Sequence, residues 1–184
     1  VLNNTINYGG SSSTNSGIRA TTRLFFNNFT HNRITGKGGT SANYGIELAT
    51  NANASTIEYN NISTNGTTTT NYGITITSST GNNITNNVIF TNGSSSNEGI
   101  RLATNSNNTI INSNNITTTG TAGSNFGITL TSTVVANNVT NNIINTSGTA
   151  TNYGISLTTE SDNNTVDRNT ITPGGSGAAN HGIY

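Results

Sequence analysis

Apolar and polar residues alternate in short segments along this chain, and the segments recur at a nearly fixed interval. The stretch Gly-Ile-Glu-Leu-Ala at 45–49 places Ile46 and Leu48 on one face and Glu47 on the other. Such alternation, with many β-branched residues nearby, is typical of strands and not of helices. The pattern therefore predicts an all-β protein built from short strands.

The tetrapeptide Asn-x-Gly-Ile marks the repeat seven times, and successive copies begin 28, 28, 26, 28, 27 and 28 residues apart. The anchor asparagines are Asn15, Asn43, Asn71, Asn97, Asn125, Asn152 and Asn180. Self-similarity at a fixed period of this length is the signature of a solenoid.

A second motif, apolar-x-x-Asn-x-apolar-x-x-x-Gly, runs in phase with the first. Together the motifs predict a single-stranded, right-handed parallel β-helix (β-solenoid) of about 6.5 turns of 26–28 residues, with residues 1–184 as a single domain. Each strand would pair with its equivalent one turn away, at ~4.8 Å. Identical asparagines would then stack as a hydrogen-bonded ladder. Its members are Asn4, Asn32, Asn60, Asn87, Asn114, Asn142 and Asn169.

This architecture makes specific predictions about single positions. Asn87→Ala should leave buried groups unpaired, at ~1–3 kcal/mol, whereas Asn105→Ala on a loop should be nearly neutral. Ile100→Asp should prevent folding because it places a charge in a dry core, and Thr129→Asp on the outer face should be tolerated. Glycines such as Gly45 suit corners that need a positive φ or close backbone approach. A hydroxyl column follows the first strand: Thr22, Thr50, Ser78, Thr104, Ser132 and Thr159.

The composition agrees with order that comes from backbone ladders and not from a thick apolar core. Only 29% of residues are hydrophobic and 7% are charged, against typical values of ~45–50% and ~25%. Six Lys/Arg balance six Asp/Glu with no basic stripe or cluster, so a nucleic-acid partner is not expected. No apolar run approaches the ~20 residues of a membrane span. The twelve Asn-x-Ser/Thr sequons match the chance number for this composition and carry no information about glycosylation.

The repeat resembles the parallel β-helix repeats of NosD-like proteins and of the carbohydrate-binding and sugar-hydrolase superfamily, on its ladder asparagines and on apolar positions such as Ile57 and Ile62. It is also similar to the repeats of Asn/Thr-rich adhesin-like surface proteins. The resemblance covers the whole chain and implies a β-helix, but its motifs specify the coil and no chemistry.

Candidate catalytic and metal-binding residues are few. Polysaccharide lyases and hydrolases on this fold use clustered carboxylates with Arg or Lys. Two carboxylates ~5–9 Å apart could act on a glycosidic bond, but the one acidic group of this chain is expected on a solvated corner. That group is Glu160, Asp162, Asp167 and Arg168. His31 and His181 lie five turns apart and the chain has no Cys or Met, so no metal or other cofactor is expected, and the copper function of NosD-like proteins is not expected here.

Aromatic residues usually precede the anchor glycine. Tyr44, Tyr72, Phe126 and Tyr153 would stack either as a platform for glycans or as a stabilising ladder. Glu98 interrupts this column, which favours the stabilising role. Arg19 and Glu47 occupy equivalent positions in adjacent turns and should form an ion pair worth less than ~1 kcal/mol.

The sequence favours a structural extracellular or cell-surface protein, part of a fibre, filament, sheath or adhesin stalk, and not an enzyme. A carbohydrate-binding or polysaccharide-degrading β-helix is the alternative. Ice binding through the Thr-rich outer columns of the first strand is a third possibility, although Arg19, Glu47 and Arg101 interrupt one column. Neither end carries a recognisable cap, so both ends should be covered, by more of the same polypeptide or by stacked copies. The chain is thus expected to be a segment of a longer protein or a filament subunit.

Overall fold

A computed structural model describes residues 1–11, 14–39, 42–67, 70–94 and 96–184. The described residues form twenty strands, β1–β20, and no helix. Every strand pairs in parallel with its equivalents in neighbouring turns, and the strands stack into sheets of seven, seven and six members. The predicted all-β solenoid is therefore confirmed. No helix that could span a membrane occurs in the described part of the chain.

Each turn contributes one strand to each of three sheets. The long sheet contains β2 (Asn15–Thr21), β5 (Asn43–Ala49), β8 (Asn71–Thr77), β11 (Asn97–Ala103), β14 (Asn125–Thr131), β17 (Asn152–Thr158) and β20 (Asn180–Ile183). The short sheet contains β3 (Asn28–Thr30), β6 (Thr56–Glu58), β9 (Asn83–Thr85), β12 (Ile110–Asn112), β15 (Asn138–Thr140) and β18 (Thr165–Asp167). The middle sheet contains β1 (Thr5–Tyr8), β4 (Arg33–Gly36), β7 (Asn61–Asn65), β10 (Val88–Gly93), β13 (Asn115–Gly120), β16 (Ile143–Gly148) and β19 (Thr170–Pro173).

The register of the sheets places like residues on like residues. Ile100 pairs with Ile74 on one side and with Ile128 on the other. The inward positions of all three sheets close a narrow core in which nearly every aliphatic side chain of the inner turns is fully buried. This is the inward phase predicted for Ile46 and Leu48, which are both inaccessible to solvent.

One inward column of the middle sheet is polar, which the sequence analysis did not anticipate. Threonines occupy it in four successive turns and are buried: Thr64, Thr91, Thr118 and Thr146. Their hydroxyl oxygens have no hydrogen-bond partner. In the first turn the same column holds Tyr8, whose ring fills the space left open by Gly36. Burial raises the pKa of the Tyr8 hydroxyl above its ordinary range.

The corners use left-handed backbone at positions that are mostly not glycine. The predicted hydroxyl column is in register, but its members share φ values of 48–67° and show no hydrogen bonds between their hydroxyls in the described chain. Gly45, by contrast, does not have a positive φ. The sequence analysis offered two reasons for the repeated glycines, a positive φ or a close approach of the backbone. At Gly45 the reason is close approach, because a Cβ would overlap the Ile62 side chain.

Candidate functional site

Two columns of side chains lie next to each other on the outer face of the long sheet because each strand bends at its glycine. The pairing of β5 with β8 joins Tyr44 to Tyr72 and skips the glycine that follows. A Cβ at Gly45 would meet the carbonyl oxygen of Gly73 in the next turn as well as Ile62. Only glycine permits this approach, and the bend turns residues three positions apart towards the same side.

We call Tyr44, Tyr72, Glu98, Phe126 and Tyr153 the ring column. We call Glu47, Thr75, Arg101, Thr129 and Ser156 the outer column. Side chains of the two columns touch: the Arg101 guanidinium carbon lies 5.6 Å from the centroid of the Tyr72 ring. In the first turn, where a serine occupies the ring position, Ser16 Oγ donates to Glu47 Oε2 at 2.7 Å.

The aromatic rings stack face to face and cover each other. Tyr44 and Tyr72 have centroids 5.2 Å apart and planes within 5° of parallel. Phe126 and Tyr153 stack at 5.0 Å and 6°. A sugar packs on an exposed ring face, but here faces are turned towards neighbouring turns and edges towards solvent. The geometry favours the stabilising role over a glycan platform.

Glu98 stands between the two stacks, paired with Tyr72 on one side and with Phe126 on the other. Only 8% of it is exposed. Its Oε2 has no hydrogen-bond partner, and the nearest cation, Arg101 Nε, is 3.6 Å away. Burial raises the pKa of Glu98 to about 7, while Arg101 and the hydroxyls of Thr129 and Tyr72 limit the rise. Glu98 is therefore a buried carboxyl group whose charged form is only partly compensated by its neighbours.

The outer column points away from the core, as predicted, but it is not solvated. Thr129 is 6% exposed and Thr75 is 5% exposed, because the ring column leans over this side of the sheet. Thr129→Asp was expected to be tolerated because an outward position should be exposed to solvent. Thr129 is instead buried, and the new carboxylate would be buried next to Glu98. The same cover shields one of the two outer columns on which ice binding would depend, whereas the other, which includes Thr77 and Thr131, is half-exposed.

The predicted Asn ladder is present at the corner between the short and middle sheets. Asn87 Nδ2 donates to Asn114 Oδ1 in the next turn at 3.0 Å and to the Ile57 carbonyl at 2.9 Å. Asn87 Oδ1 accepts from both the backbone and the side-chain nitrogen of Asn60, at 2.9 and 3.0 Å. The same side-chain contact links every consecutive pair of the ladder from Asn4 to Asn169.

The anchor asparagines form a second ladder, which the sequence analysis used only as repeat markers. Each donates from Nδ2 to Oδ1 of the next, for example Asn97 to Asn125 at 2.8 Å and Asn125 to Asn152 at 3.0 Å. Those in the inner turns are fully buried. Their recurrence at every turn was the signal that could have identified them.

A third ladder is mixed and incomplete. Its column runs Asn27, Ser55, Asn82, Thr109, Asn137 and Asn164. Asn137 donates to Asn164 Oδ1 at 2.9 Å, and the Thr109 backbone nitrogen donates to Asn137 Oδ1 at 2.8 Å. Where Thr109 replaces asparagine, Asn82 Nδ2 is buried without a partner. A hydroxyl on Cβ is too short to continue the ladder.

The family model described as periplasmic copper-binding protein (NosD) matches residues 1–182. The chain belongs to the NosD family. The resemblance to NosD-like β-helix proteins is thereby confirmed, and a periplasmic family is compatible with the expected location at the cell exterior. No curated protein and no solved structure matches the chain.

The remaining candidate residues of this NosD-family chain lie on exposed corners. Arg168 Nε pairs with Asp167 Oδ2 at 2.8 Å, and both side chains are mostly exposed. Glu160 Oε2 accepts from Thr133 Oγ1 at 3.1 Å in solvent. Asp162 is exposed. The acidic group is thus solvent-exposed and divided between the corner before β18, which holds Glu160 and Asp162, and the end of β18, which holds Asp167.

Arg19 Nε and Glu47 Oε2 lie 3.1 Å apart, which confirms the predicted ion pair. The two histidines are remote from each other: His31 stacks on Tyr59 at 5.1 Å, and His181 contacts Tyr153 edge-on at 5.1 Å.

Proposed function

We propose that this chain is a structural β-helical element of the cell exterior, part of a surface fibre, filament, sheath or adhesin stalk. Its most frequent side-chain contacts run along the axis, from one turn to its equivalent in the next. Such contacts make a stiff rod, and they do not form a recess for a small molecule.

The observation that carries this proposal is the continuity of the Asn ladders. In two of them a hydrogen bond between side-chain amides joins every pair of adjacent turns. Each ladder asparagine bonds its equivalent in the next turn, so the role of the repeated residue is to hold the turns together. Enzymes on similar coils build clefts from long irregular loops, and the repeats of this chain hold a nearly constant length.

A depression in the described part of the chain supports the same view. It measures about 340 Å³, lies at the first turn and is lined by Asn7, Tyr8, Gly9, Thr35 and Lys37. Its lining has no carboxylate and no histidine. We assign no reaction to it.

The copper binding named in the family description does not fit the residues of this chain. Copper sites use imidazole, thiolate and thioether ligands. The chain has no Cys or Met, and its two histidines each pack on an aromatic ring in separate turns. No group of three or more His, Cys, Asp or Glu gathers in the described part of the chain. We derive no copper chemistry for it.

Light scattering and electron microscopy on native material test the structural role. Elongated particles or filaments are expected, with lengths that are multiples of the coil. A stable, monodisperse 19.0 kDa monomer whose end strands are protected from amide exchange would contradict the fibre.

Carbohydrate binding or cleavage is the second candidate, supported by the cluster of Glu98, Arg101 and Tyr72. A glycan array combined with a lyase and hydrolase assay tests it, with Glu98→Gln as the matched variant and Glu58→Gln on the short sheet as control. Binding or cleavage that Glu98→Gln alone abolishes would favour this candidate over the structural one. An ice recrystallisation assay tests the third candidate, for which no inhibition is expected.

A further inference from the structure

The first corner of the coil exposes two adjacent phenylalanines. Phe25 is 53% exposed and Phe26 is 83% exposed, in the corner between β2 and β3. Phe26 has a left-handed φ of 57°, which it shares with the equivalent corner residues of later turns such as Ala54 and Asn108, and a bulky side chain is uncommon in this conformation. Neither phenylalanine side chain belongs to the buried core or packs against it.

The exposure of Phe26 does not depend on its being in the first turn. Its column continues as Ala54, Gly81, Asn108, Ala136 and Asn163. Gly81, Asn108 and Ala136 lie in turns with neighbours on both sides, and they too are exposed. The column therefore faces solvent in every turn except that of Ala54, which is half-buried, and Phe26 is its only aromatic member. The fold has no need of an aromatic ring there.

The same turn concentrates positive charge. Four of the six Lys/Arg lie between residues 19 and 37, and the first 46 residues contain no Asp or Glu. These cations are dispersed along the sequence, so no cluster was expected, but they lie within a single turn. Arg19 is paired with Glu47. Arg23, Arg33 and Lys37 have no ion pair in the described part of the chain. Arg23 is two residues from Phe25 on the same corner.

We propose that this corner, Arg23–Phe26, together with the exposed Arg33 at the start of β4 in the same turn, is a contact site for an anionic lipid surface. Aromatic and aliphatic side chains at a protruding tip can enter the boundary between headgroups and acyl chains, while adjacent cations attract anionic headgroups. Apolar insertion alone or electrostatic attraction alone gives weak attachment to a membrane, and the two together give useful affinity. The chain would bind at the membrane surface without crossing it. This adds to the proposed structural role, because it attaches the rod to a membrane.

The shape of the site favours a lipid surface over an acidic polysaccharide. The rings project from a convex corner, which suits a deformable layer. Phenylalanine lacks the polar tip by which Tyr and Trp also hydrogen-bond a ligand. The corner offers cations and apolar surface, without the convergent donors and acceptors that saccharide binding requires.

Co-sedimentation with vesicles tests the proposal. The wild-type chain should bind phosphatidylglycerol/phosphatidylcholine vesicles, and bind pure phosphatidylcholine much more weakly. The double variant Phe25→Asn/Phe26→Asn carries residues found in equivalent positions of later turns, so it should fold normally by circular dichroism. It should lose about tenfold or more in affinity.

Arg23→Gln/Arg33→Gln should lower affinity and flatten its salt dependence. The matched control, Val88→Asn/Ile143→Asn, removes two other half-exposed apolar side chains and should bind as the wild type does.

A spectroscopic variant gives an independent readout. The chain contains no Trp, so Phe25→Trp introduces a single indole whose emission should shift to the blue on anionic vesicles and remain unshifted on polygalacturonate gel. The proposal is overturned if the wild type does not bind anionic vesicles, if the double Phe variant binds as well as its control, or if binding is to polygalacturonate and not to lipid.

Discussion

Two columns of polar side chains are buried inside the same coil, and they are satisfied very differently. At the corner between the short and middle sheets, Asn87 takes part in six hydrogen bonds with protein atoms. On the inner face of the middle sheet, Thr91 and Thr118 are equally inaccessible, and their hydroxyls have no partner. Both columns repeat at the same interval along the axis.

The difference is one of reach. Adjacent turns are separated by ~4.8 Å, and an amide extends far enough to bond its copy and the backbone of the turn below. A threonine hydroxyl is attached to Cβ, so stacked hydroxyls remain about one turn apart, beyond the ~3.2 Å of a good hydrogen bond. The strand backbone next to them is already used by the sheet. Regular stacking therefore satisfies polar groups only when the side chain can bridge the spacing of the turns.

Asn87→Ala should interrupt the Asn ladder and have the largest effect on stability of the substitutions below. It leaves the Asn60 backbone nitrogen without its acceptor, which costs ~1–3 kcal/mol for a buried group. It also removes one hydrogen bond from Asn60 Nδ2, which keeps only the Phe29 carbonyl, and one from the Ile57 carbonyl. We expect the free energy of unfolding to fall by about 3 kcal/mol or more, measured by urea denaturation.

The control for this variant is Asn115→Ala, one position beyond ladder residue Asn114 but exposed on the outer face. It should change stability by less than about 0.5 kcal/mol. The loop variant Asn105→Ala is a poorer control, because Asn105 has a φ of 58° that alanine disfavours. Equal losses for Asn87→Ala and Asn115→Ala would contradict the ladder.

Thr129→Asp tests whether the covered outer column behaves as an interior. The new carboxylate would lie between buried Glu98 and Arg101. One guanidinium cannot compensate two buried carboxyl groups fully, so we expect a loss of about 2–3 kcal/mol. Thr131→Asp, two residues on and half-exposed, should be nearly neutral. Ile100→Asp, in the true core, should still prevent folding. A Thr129→Asp protein as stable as Thr131→Asp would mean that the ring column does not exclude water.

Glu98 should make stability depend on pH. Its pKa is raised from 4.5 to about 7 in the folded protein, so between these values the folded chain binds more protons than the unfolded chain. The stabilisation is fully present below about pH 4.5 and is lost as pH rises through about 7. Between those limits the free energy of unfolding of the wild type should fall by about 1–3 kcal/mol relative to Glu98→Gln, measured by denaturant titration at each pH. Parallel pH profiles for the two proteins would show that Glu98 has an ordinary pKa.

Thr118→Val should remove one unsatisfied hydroxyl while keeping the shape of the side chain. We expect a gain of about 1 kcal/mol, with Thr117→Val on the outer face of the same strand as control. A loss of stability in Thr118→Val would indicate that internal water, and not an empty apolar contact, accompanies this column.

Thr109→Asn should extend the mixed third ladder, with the smallest effect. The new amide would offer an acceptor to Asn82 Nδ2, which is buried without one, in a side chain of nearly the same volume. We expect a gain of about 0.5–1 kcal/mol. The gain should vanish in the background of Asn82→Ala, and a gain that persists there would have another origin.

Much of the fold could be predicted because the coil is periodic along the sequence itself. Residues such as Ile46 and Ile74 recur one period apart, and stacking of equivalent positions follows directly from that period. The ladder from Asn4 to Asn169 and the Arg19–Glu47 pair could be predicted for the same reason, since each joins equivalent positions of adjacent turns.

The repeat in the sequence could not predict the path of the chain within one turn. The bend at Gly45 brings Tyr44 and Glu47 to the same side, and that bend depends on the close approach of Ile62 from another sheet. The sequence by itself determined which residues stack on which. Only the tertiary structure decided that Thr129 is covered, that Glu98 is a buried carboxylate with a raised pKa, and that Thr118 lacks a partner, because burial and hydrogen bonding depend on side chains that meet across the turn and not along the repeat.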